Sequence, residues 1–425
     1  MLGQTKMDNL NGVGDEVTVI GAGIVGVCCA LWLQRQGCSV TIIDRGEPGG
    51  GTSFGNTAMI TPGQVVPYSI PGLIRDVPHW LFSKRNPLKL KTTYLPIIAP
   101  WLWTLIRAGR VENAIVVSRA MRSLHQRAFD LYGELSRGTA AEGFFEKCGH
   151  LHLSLEGTKR RSPQLSRLMQ EAAGVEMEHL SFDEIRSMEP ALAPIYKSGV
   201  LMPGNGRCKN PYRLVQILAD EAVRLGARFV KADVTQINLR EGRCESIALD
   251  GVDTPVQRLV VAAGIGSKAL TMQLGMKIPL EAERGYHVTI KNPGVLPNRQ
   301  IIVKDWGMGA GPIDGDLRVA GTVEFSGLKA KPDWKRADRL LLRAKELFPS
   351  VNAGEFSRWK GDRPSISDGL AVLGKPKRFE NIYFAFGNGQ HGMSAGPMMG
   401  KVLSEIVLGR KTSIDPSPFN PDRFS

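Results

Sequence analysis

Three glycines and one aspartate carry the first recognisable chemistry in this chain. Gly21, Gly23 and Gly26 stand in the spacing G-x-G-x-x-G, and Asp44 follows 18 residues after the last of them. This set suits a dinucleotide. Gly21 permits a tight turn, Gly23 lets a pyrophosphate approach the backbone, and Gly26 lets a helix pack closely on a strand. Ile24 and Val25 lie between these glycines, just before a helix whose free N–H groups attract a diphosphate. A carboxylate at position 44, with Arg45 beside it, accepts from ribose hydroxyls and repels a 2′-phosphate, which argues against NADP. NAD and FAD both satisfy the motif. A second glycine- and hydroxyl-rich stretch, residues 49–63, holds Thr52, Ser53, Asn56, Ala58 and Met59 and suits a loop that wraps a phosphate and meets a flat ring.

The elements that must position these residues are legible around them. Val17 to Ile20 is a β-branched strand, 27–36 reads as a helix stopped by Gly37, and Ser39 to Ile43 is a second strand ending at Asp44. The period of Leu214, Val215, Ile217, Leu218, Ala222 and Leu225 predicts a helix over 212–225, with strands at 228–230 and 234–239 after it. Val234 lies in the second of these. An apolar strand, 258–262, ends in Ala263-Gly264, where backbone can meet a cofactor at the carboxyl edge of a sheet. Near the C-terminus a strand over 382–386 runs into a glycine loop containing Gly389, His391, Gly392 and Met393, and a helix is predicted over 398–407.

The chain has 425 residues, enough for two or three structural units. Apolar residues make up 42% and charged residues 22%, which excludes a disordered or polytopic membrane chain. The net charge of +13 favours anionic partners. Six cysteines in this length do not form a disulfide framework, and with no C-x-x-C neither a zinc ribbon nor a thioredoxin-type motif is present, so no metal site is expected. The polar first sixteen residues and the lack of a long apolar run predict no export signal and no spanning helix, hence a cytoplasmic protein. Residues 74–110 combine Arg75, Lys84, Arg85, Lys89, Lys91, Arg107 and Arg110 with Trp80, Trp101 and Trp103. That mixture suits peripheral contact with a membrane, and equally a helical layer with a solvated basic face. Further helices are predicted over 112–135 and 158–173.

These pieces together resemble the FAD-dependent amine oxidoreductases of the D-amino acid oxidase superfamily, within it the bacterial D-amino acid dehydrogenases of the small-subunit type. The matching text is V-I-G-A-G-I-V-G-V from Val19, T-S-x-x-N-x-x-x-I-T-P-G over 52–63, and R-G-Y-H-V-T-I over 284–290, with G-D-R-P-S-I-S-D-G-L-A-V-L-G over 361–374 and the glycines before the last helix. The resemblance covers about residues 16–424. It implies an α/β fold: a Rossmann-type FAD-binding domain built discontinuously from 16–75, 200–272 and 355–425. A second, α+β substrate domain with a mostly antiparallel sheet takes 76–199 and 273–354. Family members often carry Gly-His at the start of the last glycine loop, where this chain has Gly387-Asn388. No cysteine lies near Arg363, so non-covalent FAD is expected.

The resemblance further implies oxidative deamination of a D-amino acid, with D-proline and hydroxy-D-proline as cyclic candidates. Hydride passes from the α-carbon to flavin N5, and the electrons go on to a quinone or other acceptor. Arg363 matches the family's carboxylate clamp, and its guanidinium can grip a carboxylate bidentately. Tyr286 is the second candidate, with Arg284 on the same face of an alternating strand and His287, read as structural, opposite. His391 is placed near flavin or substrate, and Lys304 and Trp306 are candidate pocket residues. The alternatives are a glycine- or sarcosine-type secondary amine oxidase and a flavoprotein subunit of a larger, RNA-directed or heteromeric, complex. No RNA-binding motif is seen, so no nucleic-acid partner is expected.

Overall fold

A computed structural model describes residues 16–67, 88–155 and 163–424. Residues 68–87, which include the start of the basic, aromatic segment, lie outside the described residues, as does the start of the helix predicted from 158.

Glu16–Ile20 and Ser39–Asp44 pair in parallel at the centre of a six-stranded sheet. Arg228–Lys231 adds outside Ser39–Asp44, while Arg258–Val261 and Ile382–Phe386 add on the other side, all parallel. Val372–Gly374 closes that edge antiparallel to Ile382–Phe386. Strand order therefore reverses at Glu16–Ile20, whose carboxyl end carries Gly21, and such a switch point opens a crevice for ligands. The helix Ile24–Arg35 covers one face, packed against Pro211–Arg224 and the C-terminal helix Gly392–Val407. Gly400 makes the last contact possible: a Cβ there would lie 2.6 Å from the Cys28 carbonyl carbon. Val234–Arg240 does not extend the parallel sheet but starts a separate three-stranded meander.

A nine-stranded, mostly antiparallel sheet forms the other layer. Its order runs Phe356–Ile366, Leu280–Ile290, Asp316–Phe325, Met308–Ile313, Gln300–Val303, His150–Leu155, Tyr196–Met202 and Glu178–Leu180, with Leu88–Leu90 also along Asp316–Phe325. Leu280–Ile290 is buried at every position, between the cavity on one face and the helix Lys335–Leu347 on the other.

Two features shift the expected domain limits. Phe356–Ile366 pairs with Leu280–Ile290 along its whole length, so the segment from 355 begins in the antiparallel sheet and joins the parallel one only at Val372. The helices Val111–His125 and Ala128–Ser136 put Met121, Leu124, Leu131, Tyr132 and Leu135 into the core beneath the parallel sheet, so this part of 76–199 packs with the dinucleotide-binding layer. The C-terminal helix also starts at Gly392 and not at 398, running through Pro397. A proline there lacks the N–H that would bond the Met393 carbonyl. The Tyr132 hydroxyl donates to that oxygen instead, at 2.6 Å, and Trp32 Nε1 donates to the Pro397 carbonyl at 3.1 Å.

Among the described residues no helix is long and apolar enough to cross a membrane, no cluster could hold a metal ion, and Cys28, Cys29, Cys148, Cys208 and Cys244 are free thiols.

Candidate active site

A single cavity of about 840 Å³ runs from the carboxyl edge of the parallel sheet to the inner face of the antiparallel one. At the first end the backbone turns sharply after Glu16–Ile20. Gly21 has φ 110°, and a Cβ would lie 2.4 Å from the Ala262 carbonyl oxygen. At Gly26 a Cβ would lie 1.9 Å from the Gly21 carbonyl oxygen, so this glycine serves helix–strand packing and does not itself line the cavity. Gly23 faces open space apart from Ser53 Oγ at 3.4 Å. Asp44 is fixed by two backbone donors, accepting from the Ala22 N–H at 2.8 Å and the Gly46 N–H at 2.9 Å. Ser53 Oγ accepts from the Ile24 N–H at 3.0 Å, which ties the 49–63 loop to the helix start.

Gly21, Gly23, Ile24, Val25, Asp44, Arg45, Thr52, Ser53, Asn56, Met59, Val234, Ala263, Gly264, Gly389, Gly392 and Met393 all line this one cavity. Ala58 does not. It is fully buried with φ 62°, and its carbonyl accepts from the Cys208 N–H, so it shapes the loop from behind. The start of the last helix opens onto the cavity through Gly389, Gly392 and Met393. Asn56 Oδ1 is buried with no hydrogen-bond partner among the described residues, which leaves an acceptor for a ligand's N–H. A glycine cradle, two helix N-termini and an orphaned amide oxygen fit FAD, and no cysteine lines the wall.

At the other end the alternation of Leu280–Ile290 decides which side chains reach the cavity. Glu283 and Gly285 face it, Arg284 points the opposite way, and Tyr286 borders it with its hydroxyl turned to Glu324 and Asp333. Arg284 is 1% exposed and outside the lining. Its Nε donates to Asp362 Oδ1 at 2.9 Å, Nη1 to the Ala330 carbonyl at 3.0 Å and to Ser326 Oγ, and Nη2 to the Gly327 and Leu328 carbonyls. All its donors are engaged in holding strands and a loop together, so the expected role as a clamp is not what the fold assigns it. Tyr286 reaches the wall, but its hydroxyl donates to Glu324 and accepts from the Asp333 N–H at 2.9 Å. Burial, then the Glu324 contact, raises its pKa to about 12, which keeps the phenol protonated. It offers no free donor to a substrate.

Arg363 is placed in the cavity wall. It stands directly across from Glu283 in the strand pairing and lines the cavity. Its guanidinium lies over Gly285: a Cβ there would be 2.2 Å from Nη2 and 2.5 Å from Cζ. Nη1 donates to Glu283 Oε1 at 2.9 Å and to the Thr322 carbonyl at 3.4 Å, while Nε and Nη2 have no partner among the described residues. One edge is anchored and the other is available for a bidentate carboxylate. His391 stands at the position before the C-terminal helix, with no capping hydrogen bond from its side chain, and lines the same wall. Burial, with Arg363 adding to it, lowers its pKa to about 4, so the imidazole is neutral at pH 7. Its ring lies 5.4 Å from that of His125. Lys304 lines the cavity. Trp306 does not, and is buried beneath the Arg343 guanidinium at 4.4 Å. His287 stacks on Trp359 at 4.9 Å, and its Nδ1 lies 3.2 Å from the Gly55 carbonyl, in keeping with a structural role.

Glu283, Gly285, Thr322 and Trp359 also line the wall and went unread in the sequence. A glycine inside a strand of large residues marks a close approach by another group, and that was the available signal for Gly285.

Residues 16–406 match the family model described as FAD dependent oxidoreductase. The chain belongs to that family. A D-amino-acid oxidase of Bradyrhizobium diazoefficiens is 35% identical over 97% of this chain and 99% of its own length. A D-amino acid dehydrogenase of the same organism is 28% identical over 96% of this chain and 99% of its own length. Among solved structures, the glycine oxidase of Geobacillus kaustophilus superposes with a TM-score of 0.73 at 21% identity, over 96% of this chain and 98% of that one. The L-proline dehydrogenase of P. horikoshii gives 0.71 at 18% identity, over 97% and 98%. As in other FAD-dependent oxidoreductases, then, FAD is the cofactor, and the cradle around Gly21, Gly23, Asp44 and Asn56 is where this chain would hold it.

Proposed function

We propose that this flavoprotein oxidises a D-amino acid to the imino acid, which water hydrolyses to a 2-oxo acid. The observation that carries the reading is Arg363, with one edge anchored on Glu283 and the other facing the cavity that also contains the dinucleotide cradle. A guanidinium so held grips a carboxylate in a fixed orientation and thereby orients the carbon beside it. FAD, when bound, supplies the two-electron acceptor. The protein's part is to bind, to orient and to keep water from the reacting carbon. The relatives named D-amino-acid oxidase and D-amino acid dehydrogenase support the D configuration and the amino acid class, and cyclic D-proline and hydroxy-D-proline are included as candidates.

Anaerobic addition of paired D- and L-amino acids, with glycine and sarcosine beside them, tests this directly. Bleaching of the visible flavin band by D-forms is expected. Bleaching by glycine or sarcosine alone would favour a secondary amine oxidase, and a band that stays oxidised throughout would overturn the reading. Arg363→Ala should retain FAD and lose kcat/KM for carboxylate substrates by about 10²–10³-fold, the scale of a buried bidentate charge-assisted pair. Arg363→Lys should not restore it, because an ammonium cannot form the fork.

A quinone acceptor at a membrane surface is the companion reading. The helix Leu95–Ala108 exposes Ile97 (63%) and Trp103 (62%) beside Leu95 and Ile106, with Arg107 and Arg110 at its end. Exposed aromatic and aliphatic side chains next to arginines favour an anionic bilayer interface. Trp103→Glu should abolish co-sedimentation with anionic vesicles. Absence of vesicle binding by the wild type, with fast reoxidation by oxygen, would assign the oxidase reaction instead.

A further inference from the structure

Four carboxylates line the cavity. Asp44, Glu47 and Asp233 belong to the strand ends and loops of the parallel sheet, and Asp44 is held by backbone amides. The fourth, Glu283, stands beside Arg363 and is 3% exposed. Its Oε1 accepts from Arg363 Nη1 at 2.9 Å and its Oε2 from Ser365 Oγ at 2.8 Å. A carboxylate oxygen has two lone pairs, so each oxygen keeps an acceptor position after these bonds. Burying a carboxylate is costly unless its remaining lone pairs are met, and one arginine with one hydroxyl meets only half of them.

The charge arithmetic points the same way. Arg363 and Glu283 form a neutral pair. An α-amino acid at neutral pH is also neutral overall, with its positive and negative ends on atoms attached to one carbon. Laid on the pair, its carboxylate meets the open Nε/Nη2 edge and its ammonium meets Glu283. A carboxylate without an amine leaves one uncompensated negative charge in a buried site.

We propose that Glu283 receives the α-amino group of the substrate and takes its proton, which makes the site selective for zwitterions over plain carboxylates. The inference rests on the reading above, that Arg363 clamps an amino acid carboxylate. An N–H bond of the ammonium breaks, its electron pair stays on nitrogen, and the proton forms an O–H bond on Glu283. The C–H bond at the α-carbon then breaks, and the hydride leaves with both electrons for the FAD of the proposed reaction. The freed nitrogen pair closes the C=N bond. The substrate loses two electrons, the acceptor gains two, and the proton passes from Glu283 to water when product leaves.

The test compares the FAD-loaded wild type with Glu283→Gln and Glu283→Asp. Anaerobic reduction by D-alanine and D-proline is followed across the neutral-to-alkaline range. Binding of propanoate and cyclopentanecarboxylate, their amine-free counterparts, is read from the perturbed flavin band. Glu283→Gln should weaken the amino acids about 10- to 100-fold, the scale of a lost hydrogen bond between charges. It should leave the amine-free acids unchanged or tighter, and move the acid limb of the reduction profile toward the ionisation of the free substrate's ammonium. Glu283→Asp should fall between. Equal loss for both ligand sets would overturn the proposal, because Glu283 would then act only by holding Arg363. Unchanged amino acid binding with an unchanged pH profile would overturn it too. If Glu283→Gln fails to hold FAD, Glu283→Asp is read by the same criteria. A wild type that neither amino acid bleaches, while it still binds the amine-free acids, refutes the amino acid reading itself, a result distinct from either.

Discussion

The sharpest test of the proposed clamp is a single methyl group. At Gly285 an alanine Cβ would fall 2.2 Å from Arg363 Nη2, and ordinary contact begins at about 3.4 Å. The guanidinium must therefore move by about 1.2 Å, the difference between the two, and misplacing a binding group by about 1 Å can cost 10²-fold in rate. The fold should tolerate the change. Gly285 sits in an extended strand with no positive φ, and the clashing atoms are the far end of a flexible side chain. Gly285→Ala should thus match the wild type in melting temperature and in bound flavin, yet lose about 100-fold in kcat/KM, nearly 3 kcal/mol of transition-state stabilisation. Stopped-flow reduction of the flavin band under anaerobic conditions measures it. The double variant Gly285→Ala/Arg363→Ala should be no worse than Arg363→Ala alone, since both remove one interaction. If Gly285→Ala reduces its flavin within about threefold of the wild type, the argument that Arg363 is positioned by contact with Gly285 is refuted.

At the other end of the cavity, Gly23→Trp should give folded protein without flavin, because the position faces open space, whereas Gly21→Ala should destabilise the fold itself by about 1–3 kcal/mol through its backbone angle and the Ala262 clash; flavin absorbance and thermal melts separate the two. Arg284→Met should lower stability by about 3–5 kcal/mol, since Asp362 and several carbonyls lose a buried partner, while kcat/KM of the folded fraction changes little; chemical denaturation with parallel kinetics checks it. Burial is the main cause that lowers the pKa of His125 and His287 to about 3 and of His150 and His391 to about 4. The unfolded chain binds their protons from about pH 6.5, so stability is full above that pH and falls as pH drops from 6.5 toward 4, by up to about 1.4 kcal/mol per pH unit for each. His287→Gln should remove about a quarter of that slope in urea melts at stepped pH.

The cofactor end of the molecule was legible in the sequence because its determinants are local. The turn at Gly21, the helix start at Ile24 and the carboxylate at Asp44 lie within one strand–helix–strand unit, and each residue type is forced by backbone geometry or by a charge near a helix terminus. The C-terminal helix was legible only from 398 onward, because Pro397 reads as a breaker until Tyr132, distant in sequence, supplies the missing donor. Helices Val111–His125 and Ala128–Ser136 show the same limit: an amphipathic pattern says that a face is buried and not against which layer.

The substrate end failed differently. Alternation along residues 280–290 does place Arg284 and Tyr286 on one face, but a strand buried on both sides has no polar face to mark the outside. A buried arginine and tyrosine then look like a binding pair, while the residues that face the cavity are an acid and a glycine. What resolves the face is the neighbouring strand. Arg363 arrives from Phe356–Ile366 opposite Glu283, and its guanidinium needs the volume that Gly285 leaves empty. The placement of Arg363, and with it the proposed clamp, is therefore a property of two strands in register: Glu283 anchors one edge of the guanidinium, Gly285 makes room for it, and the pairing 283–363 fixes both. Such a site cannot be recovered from one strand read alone, and it predicts that register-preserving changes elsewhere on Phe356–Ile366 will be tolerated while any shift of that pairing will not.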